Sequence, residues 1–360
     1  MNSLDELERP ADLATIAPVR PLYPKPTSFP TLGRRVLILG VGPLAEELCR
    51  VLMSKGGHFT QVVGFLDSDE DDIDAKHGGE SPTNLNVIGS YGQLSDVVRR
   101  YQINTIAVCL EDRRALLPVK ILLDMKVRGT KVVEGYNLFE EESGRLSIDH
   151  IKPSTLIFST GFQRPMGTMV IKRLMDVVLS AIGLVVLSPL LALLAALIRL
   201  DSPGPVLYKQ MRVGRGGRSY EIWKFRSMCQ DAEKNGARWA CENDPRVSRV
   251  GRWMRKWRLD EFPQLINVWK GEMSFVGPRP ERPVFVDELR KSVPYYDVRH
   301  TIRPGITGWA QISFRYGASA EDSHMKLQYD LYYVKNLTLW LDLRIMSATV
   351  IVVLTGDGAR

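Results

Sequence analysis

An uncharged apolar run near the middle of the chain limits its possible folds more than any other feature. The run covers residues 177–198, VVLSAIGLVVLSPLLALLAALI, and contains 22 residues without a charge. As one straight helix it would be about 33 Å long, which is enough to cross a bilayer. A buried core helix is the alternative, but a run this apolar favours a membrane segment.

Ser188 and Pro189 interrupt this run near its middle. Proline removes a backbone donor and clashes with the preceding turn, so the sequence predicts a kink or a break there. Lys172 before the run and Arg199 after it are both basic, and the positive-inside tendency draws both ends to the same face. We therefore expect a re-entrant helix at about residues 175–200 that enters and leaves the membrane on one face, with a spanning helix as the alternative.

Strand and helix patterns alternate between residues 34 and 150. Apolar runs such as RRVLIL and INTIAVCL are each followed by an amphipathic stretch, which is typical of a parallel, Rossmann-like sheet. At the first strand-to-helix turn, Gly40, Gly42 and Ala45 form G-x-G-x-x-A, and Asp67 follows where a ribose-binding acid would stand. This pattern makes Gly40, Gly42 and Asp67 a candidate nucleotide site, although the same glycines serve any tight turn.

The charge of the chain is unevenly distributed. Residues 1–165 carry 19 Lys and Arg against 22 Asp and Glu, whereas residues 166–360 carry 29 against 19. A basic second half indicates phosphate-bearing partners, namely nucleic acid, lipid headgroups or a phosphorylated small substrate. Nucleic-acid binding would not explain the apolar run. The four cysteines show no C-x-x-C spacing, which argues against disulfides and structural zinc and favours a reducing compartment.

Two adjacent carboxylates, Asp260 and Glu261, stand in the stretch LDEFPQLINVWKGEMSFVGPRP. Pro263 is placed to start a short helix, so Asp260 would lie near the positive end of that helix, where an anion is favoured. A solvated helix start is the alternative. Just upstream, Trp253 and Trp257 lie four residues apart among basic residues, as in a membrane-interface helix, or else they cover the domain core.

From about Lys172 to the C-terminus the chain resembles the bacterial sugar transferases, which are monotopic polyprenyl-phosphate hexose-1-phosphate transferases. The stretches that carry the resemblance are IKRLMDVVLSAIGLVVLSPLLALLAALIRLDSPGPVLYKQMRVGRGG, IWKFRSM, NDPRVSRVGRWMRKWRLDEFPQLINVWKGEMSFVGPRPE and RPGITGWAQIS. The upstream region resembles the accessory domain of larger members. Those members usually carry a four-helix membrane bundle as well, so we expect a short member or a truncated sequence.

The resemblance completes the predicted fold. We expect an α/β chain in which an N-terminal Rossmann-like parallel-sheet domain is joined to a mainly α-helical, monotopic membrane catalytic domain with a re-entrant helix. The predicted limits are a flexible tail at residues 1–33, the accessory domain at 34–150, a linker at 151–171 and the catalytic domain at 172–360. The implied location is the cytoplasmic face of a bacterial inner membrane, and a homodimer is a candidate assembly.

The resemblance also implies a reaction, in which a sugar 1-phosphate passes from a UDP-sugar to undecaprenyl phosphate and UMP is released. Asp260 would be the nucleophile, and Glu261 would help it hold Mg²⁺ or manage protons. The implied substrate-phosphate residues are Lys224, Arg226, Pro278, Arg279, Pro280, Arg303 and Arg212. The competing hypothesis is a membrane-tethered nucleotide-binding scaffold or sensor without transferase activity. The sequence does not name the sugar.

Overall fold

The computed structural model of the chain describes residues 33–55, 60–67, 87–110, 117–149, 151, 153–229, 244, 246–314 and 320–355. The predicted tail, apart from Gly33, lies outside these residues. So does Cys241. The other three cysteines, Cys49, Cys109 and Cys229, are free, as the sequence predicts.

A five-stranded parallel sheet forms the N-terminal part, which confirms the α/β prediction. Its order is β3-β2-β1-β4-β5, so the first strand lies at the centre and is buried on both faces by helices. The strands are β1 (Arg34–Leu39), β2 (Thr60–Asp67), β3 (Val87–Ser90), β4 (Thr105–Val108) and β5 (Lys131–Glu134). The helices are α1 (Pro43–Lys55), α2 (Leu94–Arg100), α3 (Val119–Val127) and α4 (Gly135–Ser143).

The remaining part is mainly helical and contains two small sheets. The helices are α5 (Pro153–Phe158), α6 (Met166–Asp201), α7 (Arg249–Lys256), α8 (Gln264–Lys270), α9 (Pro283–Ser292), α10 (Trp309–Ser313), α11 (Ala320–Lys335) and α12 (Leu339–Thr355). Strands β6 (Leu207–Val213) and β7 (Ser219–Phe225) form an antiparallel hairpin, while β8 (Ser274–Val276) and β9 (Gly305–Thr307) pair in parallel. The β8–β9 pair leads directly into the Gly-Pro-Arg-Pro turn.

Helix α6 contains the apolar run and is, among the described residues, the one helix long and apolar enough to cross a membrane. It continues through Ser188 and Pro189, where the sequence predicted a kink or break. The reason is local. Pro189 cannot donate to the carbonyl of Val185, but the Ser188 hydroxyl donates to that oxygen at 2.7 Å. The side chain thus replaces the missing backbone hydrogen bond and the helix is preserved.

The fully buried residues of α6 lie toward its two ends, and its middle is more exposed. Buried residues occur from Lys172 to Ser180 and again at Leu194 and Ile198, but none occurs between Ser180 and Leu194. Lys172 donates to Asp342 at 2.6 Å and to the carbonyl of Val276 at 3.1 Å. The helix is therefore fixed near both ends to other elements of the second half of the chain.

The accessory and membrane parts share one of the hydrophobic clusters. Tyr136, Leu146 and Ile151 contribute to it from the N-terminal side, and the second half contributes residues such as Leu327 and Leu331. A buried ion pair joins Glu140 on α4 to Lys335 on α11 at 2.6 Å. The accessory part is thus packed firmly against α11.

Candidate functional site

The adjacent carboxylates lie in a tight turn between α7 and α8. Arg258 adopts a left-handed conformation with φ +56°, and residues Leu259–Glu261 form one 3-10 turn before Pro263 leads into α8. A non-glycine residue in this region is strained, and such strain often occurs at functional sites. The turn directs Asp260 and Glu261 into the protein, where both are buried. They are therefore not a solvated helix start.

Two cations hold Glu261. Its Oε1 accepts from Lys224 Nζ at 3.1 Å and from Arg279 Nη2 at 3.0 Å. Burial acts to raise the pKa of Glu261, but the positive charges of Lys224 and Arg279 outweigh it and lower the pKa well below its usual range. Glu261 is therefore ionised at neutral pH.

Asp260 is in the opposite situation. It is 8% exposed, and within the described part of the chain its carboxylate has no hydrogen-bond or ion-pair partner. Burial, followed by the negative charge of Glu261, raises the pKa of Asp260, although Lys224, Arg255 and Arg258 act against this rise. Two adjacent carboxyls thus have pKa values shifted in opposite directions, which is a frequent arrangement where such groups take different catalytic roles.

The turn that carries Arg279 is fixed by close backbone packing. The carbonyl of Pro278 accepts from Gly305 N at 3.0 Å, and Gly277 N donates to Thr307 at 2.9 Å. A side chain at Gly277 would overlap the carbonyl of Arg303. The turn therefore packs directly against the backbone of the Arg-Pro-Gly-Ile-Thr-Gly stretch.

Sequence reasoning missed a second support for this turn. Buried Arg299 donates to the carbonyl of Arg279 at 2.8 Å and to Tyr296 at 2.6 Å, and it forms an ion pair with buried Asp330 at 2.8 Å. Arg299 lies three residues after Tyr296 and four before Arg303, in a stretch where no spacing rule marks it out. Asp330 is distant in sequence, so the pair becomes visible only after folding.

A model for the bacterial sugar transferase family matches residues 167–356, slightly more than half of the chain. The chain belongs to this family. The chain is 48% identical over 221 residues to the UDP-N-acetylgalactosamine-undecaprenyl-phosphate N-acetylgalactosaminephosphotransferase of Aeromonas hydrophila, covering 61% of the chain and 52% of the relative. It is 33% identical over 336 residues to the undecaprenyl-phosphate glucose phosphotransferase of Komagataeibacter xylinus, covering 90% and 60%.

A third relative is the UDP-glucose:undecaprenyl-phosphate glucose-1-phosphate transferase of Escherichia coli strain K12, which is 41% identical over 182 residues, or 50% of the chain and 39% of the relative. The chain spans about half the length of the curated relatives it matches. The predicted family is thus confirmed, and the matched region contains Asp260 and Glu261.

The structure brings only some of the predicted phosphate residues together. Lys224 and Arg279 meet at Glu261, and Pro278 and Pro280 line a small cleft with Arg279. Arg212 donates to the carbonyl of Pro280 at 3.0 Å and so supports this turn from behind.

Two predicted phosphate residues point elsewhere. The guanidinium of Arg226 donates to the carbonyls of Pro203 at 2.9 Å and Ser202 at 2.6 Å, and so stabilises the end of α6. Arg303 Nε donates to the carbonyl of Gly271 at 2.9 Å, at the far end of α8 from the carboxylates. The structure does not bring either residue to the carboxylates.

The tryptophans on α7 do not cover the core. Trp253 is 48% exposed and Trp257 38% exposed, while Met254 between them is buried. The core alternative for these two side chains is therefore wrong, and a membrane-interface role stays a prediction.

At the accessory turn, a side chain on Gly40 would lie 3.0 Å from Leu110, and Asp67 accepts from the Tyr91 hydroxyl at 3.4 Å. The structure thus accounts for Gly40 by close packing. A nucleotide at Gly40, Gly42 and Asp67 stays a prediction.

The donors at the carboxylate site fit the chemistry of Mg²⁺, which binds proteins through one or two carboxylates and completes its shell with water and substrate phosphates. Asp260 and Glu261 supply two such groups, and Asp260 has no described partner to displace. No cluster of three or more His, Cys, Asp or Glu occurs among the described residues, which disfavours an all-protein cage. A substrate diphosphate would therefore have to complete the shell.

Proposed function

We propose that this chain transfers a sugar 1-phosphate from a UDP-sugar to a polyprenyl phosphate, with undecaprenyl phosphate as the acceptor, and releases UMP. The observation that carries the proposal is the pair of buried carboxylates, in which Lys224 and Arg279 bind Glu261 and leave Asp260 without a described partner. The names of the relatives support the same reaction, since each couples a sugar to undecaprenyl phosphate.

Asp260 is the proposed nucleophile. One of its carboxylate oxygens attacks the phosphorus that bears the sugar, the bridging P–O bond to UMP breaks, and UMP leaves with the bonding electron pair. The acceptor phosphate then attacks the same phosphorus, which restores the Asp260 carboxylate and forms the lipid diphosphate sugar. Both steps balance without another reactant.

The neighbouring residues position the donor and stabilise its charge. Lys224 and Arg279 lie within 3.1 Å of Glu261 and bring two positive charges to the place where the diphosphate would lie. Glu261 keeps these cations in place through its ionised carboxylate. Mg²⁺ bound by Asp260 and Glu261 would neutralise diphosphate charge and favour departure of UMP.

We place the carboxylate site on the cytoplasmic face of a bacterial inner membrane, with α6 as a re-entrant helix. The buried ends and more exposed middle of α6 support this arrangement, because exposed Val185, Val186 and Leu193 would contact lipid while both ends stay with the domain. A spanning helix would place one of the two packed ends on the opposite side of the membrane from the domain. The predicted homodimer is a further expectation.

Rapid quench of the purified chain with Mg²⁺ and a UDP-sugar, without lipid, tests the mechanism. We expect UMP to form in a burst approaching one per active site, and mass spectrometry at acidic pH to find a hexose phosphate on the peptide that contains Asp260. Asp260→Asn should abolish both, whereas Asp287→Asn, at an exposed aspartate, should leave both unchanged.

The donor panel should include UDP-N-acetylgalactosamine, UDP-glucose and UDP-galactose, because the relatives differ in their sugar. Enzyme that is active with lipid but gives neither burst nor adduct would exclude the covalent step. Absence of transfer with every donor would instead favour the scaffold hypothesis.

A further inference from the structure

Four arginines gather around the far end of α8, away from the carboxylates. Arg173 on α6 donates to the carbonyls of Val268 and Trp269, both at 2.7 Å. Arg303 reaches the same end of α8 and donates to the carbonyl of Gly271. A side chain at Gly271 would lie 3.1 Å from Arg173 Nη2, so the glycine leaves room for this guanidinium group.

The other two members are Arg164 and Arg215. Arg164 donates to the carbonyl and hydroxyl of Thr301, two residues before Arg303, at 2.8 and 2.6 Å. Arg215 lies in the exposed turn between β6 and β7, which packs against the turn that ends at Thr301. We call these four residues, Arg164, Arg173, Arg215 and Arg303, the arginine cluster.

No carboxylate in the described part of the chain pairs with the arginine cluster. The partners of Arg164, Arg173 and Arg303 are carbonyl and hydroxyl oxygens, and Arg215 has no described hydrogen-bond or ion-pair partner. A buried Nε of Arg164 also lacks a described partner. Burial, and then the charge of Arg215, lowers the pKa of Arg164, which reflects the mutual repulsion of the cluster.

The negative charge of Asp176 acts on Arg303, but Asp176 forms no described ion pair with the arginine cluster. Gathering four like charges with so little compensation costs free energy, and an anion bound between them would offset that cost. A guanidinium donates through a planar fork that matches two oxygens of one phosphate. Four such groups with free donor capacity therefore favour a phosphate over a carboxylate or chloride.

The surroundings of the arginine cluster point to a lipid. Met166 and Val170 precede Arg173 by seven and three residues, which places all three on one face of α6. Met166 is 83% exposed and Val170 61% exposed. This face thus combines an uncovered apolar surface with an arginine at its end, as expected where acyl or prenyl chains lie beside phosphate headgroups.

We propose that the arginine cluster binds the phosphate group of a membrane lipid. The site differs from the donor-phosphate residues Lys224 and Arg279 in what its side chains contact, because Arg173 and Arg303 donate to carbonyls at the end of α8 whereas Lys224 and Arg279 bind Glu261. Where the bound lipid is a polyprenyl phosphate, the proposal rests on the transferase function and describes how the acceptor is captured before reaction.

Binding measurements on the full chain in neutral detergent test the site directly. The probes are farnesyl phosphate, dihexanoyl phosphatidylglycerol and inorganic phosphate, and calorimetry measures the binding of each. We expect Arg215→Gln to weaken binding of at least one lipid probe about tenfold, because it removes one of four charges and breaks no described bond. Arg218→Gln, an exposed neighbour in the same loop, is the matched control and should bind as the wild type does.

The pattern among probes identifies the lipid. A loss confined to farnesyl phosphate assigns the site to the acceptor, and a loss confined to phosphatidylglycerol assigns it to the surrounding bilayer. Equal binding of inorganic phosphate and both lipid probes, or wild-type binding by Arg215→Gln, would overturn the proposal. The proposal would also be overturned if Arg215→Gln weakened binding of a UDP-sugar and not of the lipid probes.

These measurements are independent of turnover. Asp260→Asn should keep lipid-probe binding while losing transfer, so failure of the transferase function and failure of the lipid site give different results.

Discussion

The buried ion pair between Glu140 and Lys335 offers a direct test of how firmly the accessory part is attached. Lys335 Nζ lies 2.6 Å from Glu140 Oε2, and Asn336 donates to the other oxygen at 2.9 Å. In Glu140→Gln, an amide can still accept from Asn336, but it leaves the Lys335 ammonium buried without a counter-charge. Removing one partner of a buried pair typically costs about 3–5 kcal/mol.

Because one acceptor remains, we expect a cost near the lower limit, about 3 kcal/mol. At 2–4 °C per kcal/mol, this corresponds to a fall in Tm of roughly 6–12 °C. Thermal unfolding in detergent, followed by tryptophan fluorescence, measures the shift. Glu141→Gln is a matched control, since Glu141 is the next residue of α4 and is exposed.

An effect on substrate binding should accompany the loss of stability. Trp309 donates to the carbonyl of Gly144 at 2.7 Å, just beyond the end of α4, and follows β9, which pairs with the strand that leads to Arg279. Displacing α4 should therefore raise KM for the UDP-sugar. If Glu140→Gln and Glu141→Gln have the same Tm and the same KM, the ion pair does not join the two parts and this reasoning fails.

Three further results are expected. Glu261→Gln removes the negative charge that, together with burial, raises the pKa of Asp260. Because the UMP burst should increase as Asp260 loses its proton, the acid limb of the pH profile of the burst should move to lower pH. An unmoved acid limb would point to another titrating group. Arg226→Ala should lower Tm but leave KM for the UDP-sugar unchanged, whereas a raised KM alone would restore its predicted phosphate contact. In a background without native cysteines, Gly167→Cys and Lys209→Cys should be labelled from the same side of inverted vesicles, and opposite-side labelling would establish a spanning helix.

The parallel sheet and the apolar helix could be predicted from local signals, and the family from the resemblance of several motifs. Strands such as Val36–Leu39 are buried on both faces and need an unbroken apolar run, and a lipid-facing helix needs one of about 20 residues. Asp260 and Glu261 were recognisable because they are neighbours in sequence and stand beside a proline that starts a helix. Each of these signals lies within one element, so the order of residues is sufficient to detect it.

Other features depended on contacts of side chains that the order of residues does not reveal. Ser188 keeps α6 continuous through a single hydroxyl, and the sequence could not show that its rotamer reaches Val185. Arg226 and Arg279 are both arginines beside recognised motifs, yet one binds the end of α6 and the other binds Glu261.

By itself, the sequence determined the alternation of strand and helix and the apolar segment, because these follow from periodicity and composition. The family, and with it the interest of the two carboxylates, came from the resemblance of whole motifs to the bacterial sugar transferases. Only the tertiary structure decided that Glu261 is ionised by Lys224 and Arg279, since those residues lie 37 and 18 positions away. Burial and distance in space, which no local pattern encodes, shift the pKa values of two neighbouring carboxyl groups in opposite directions.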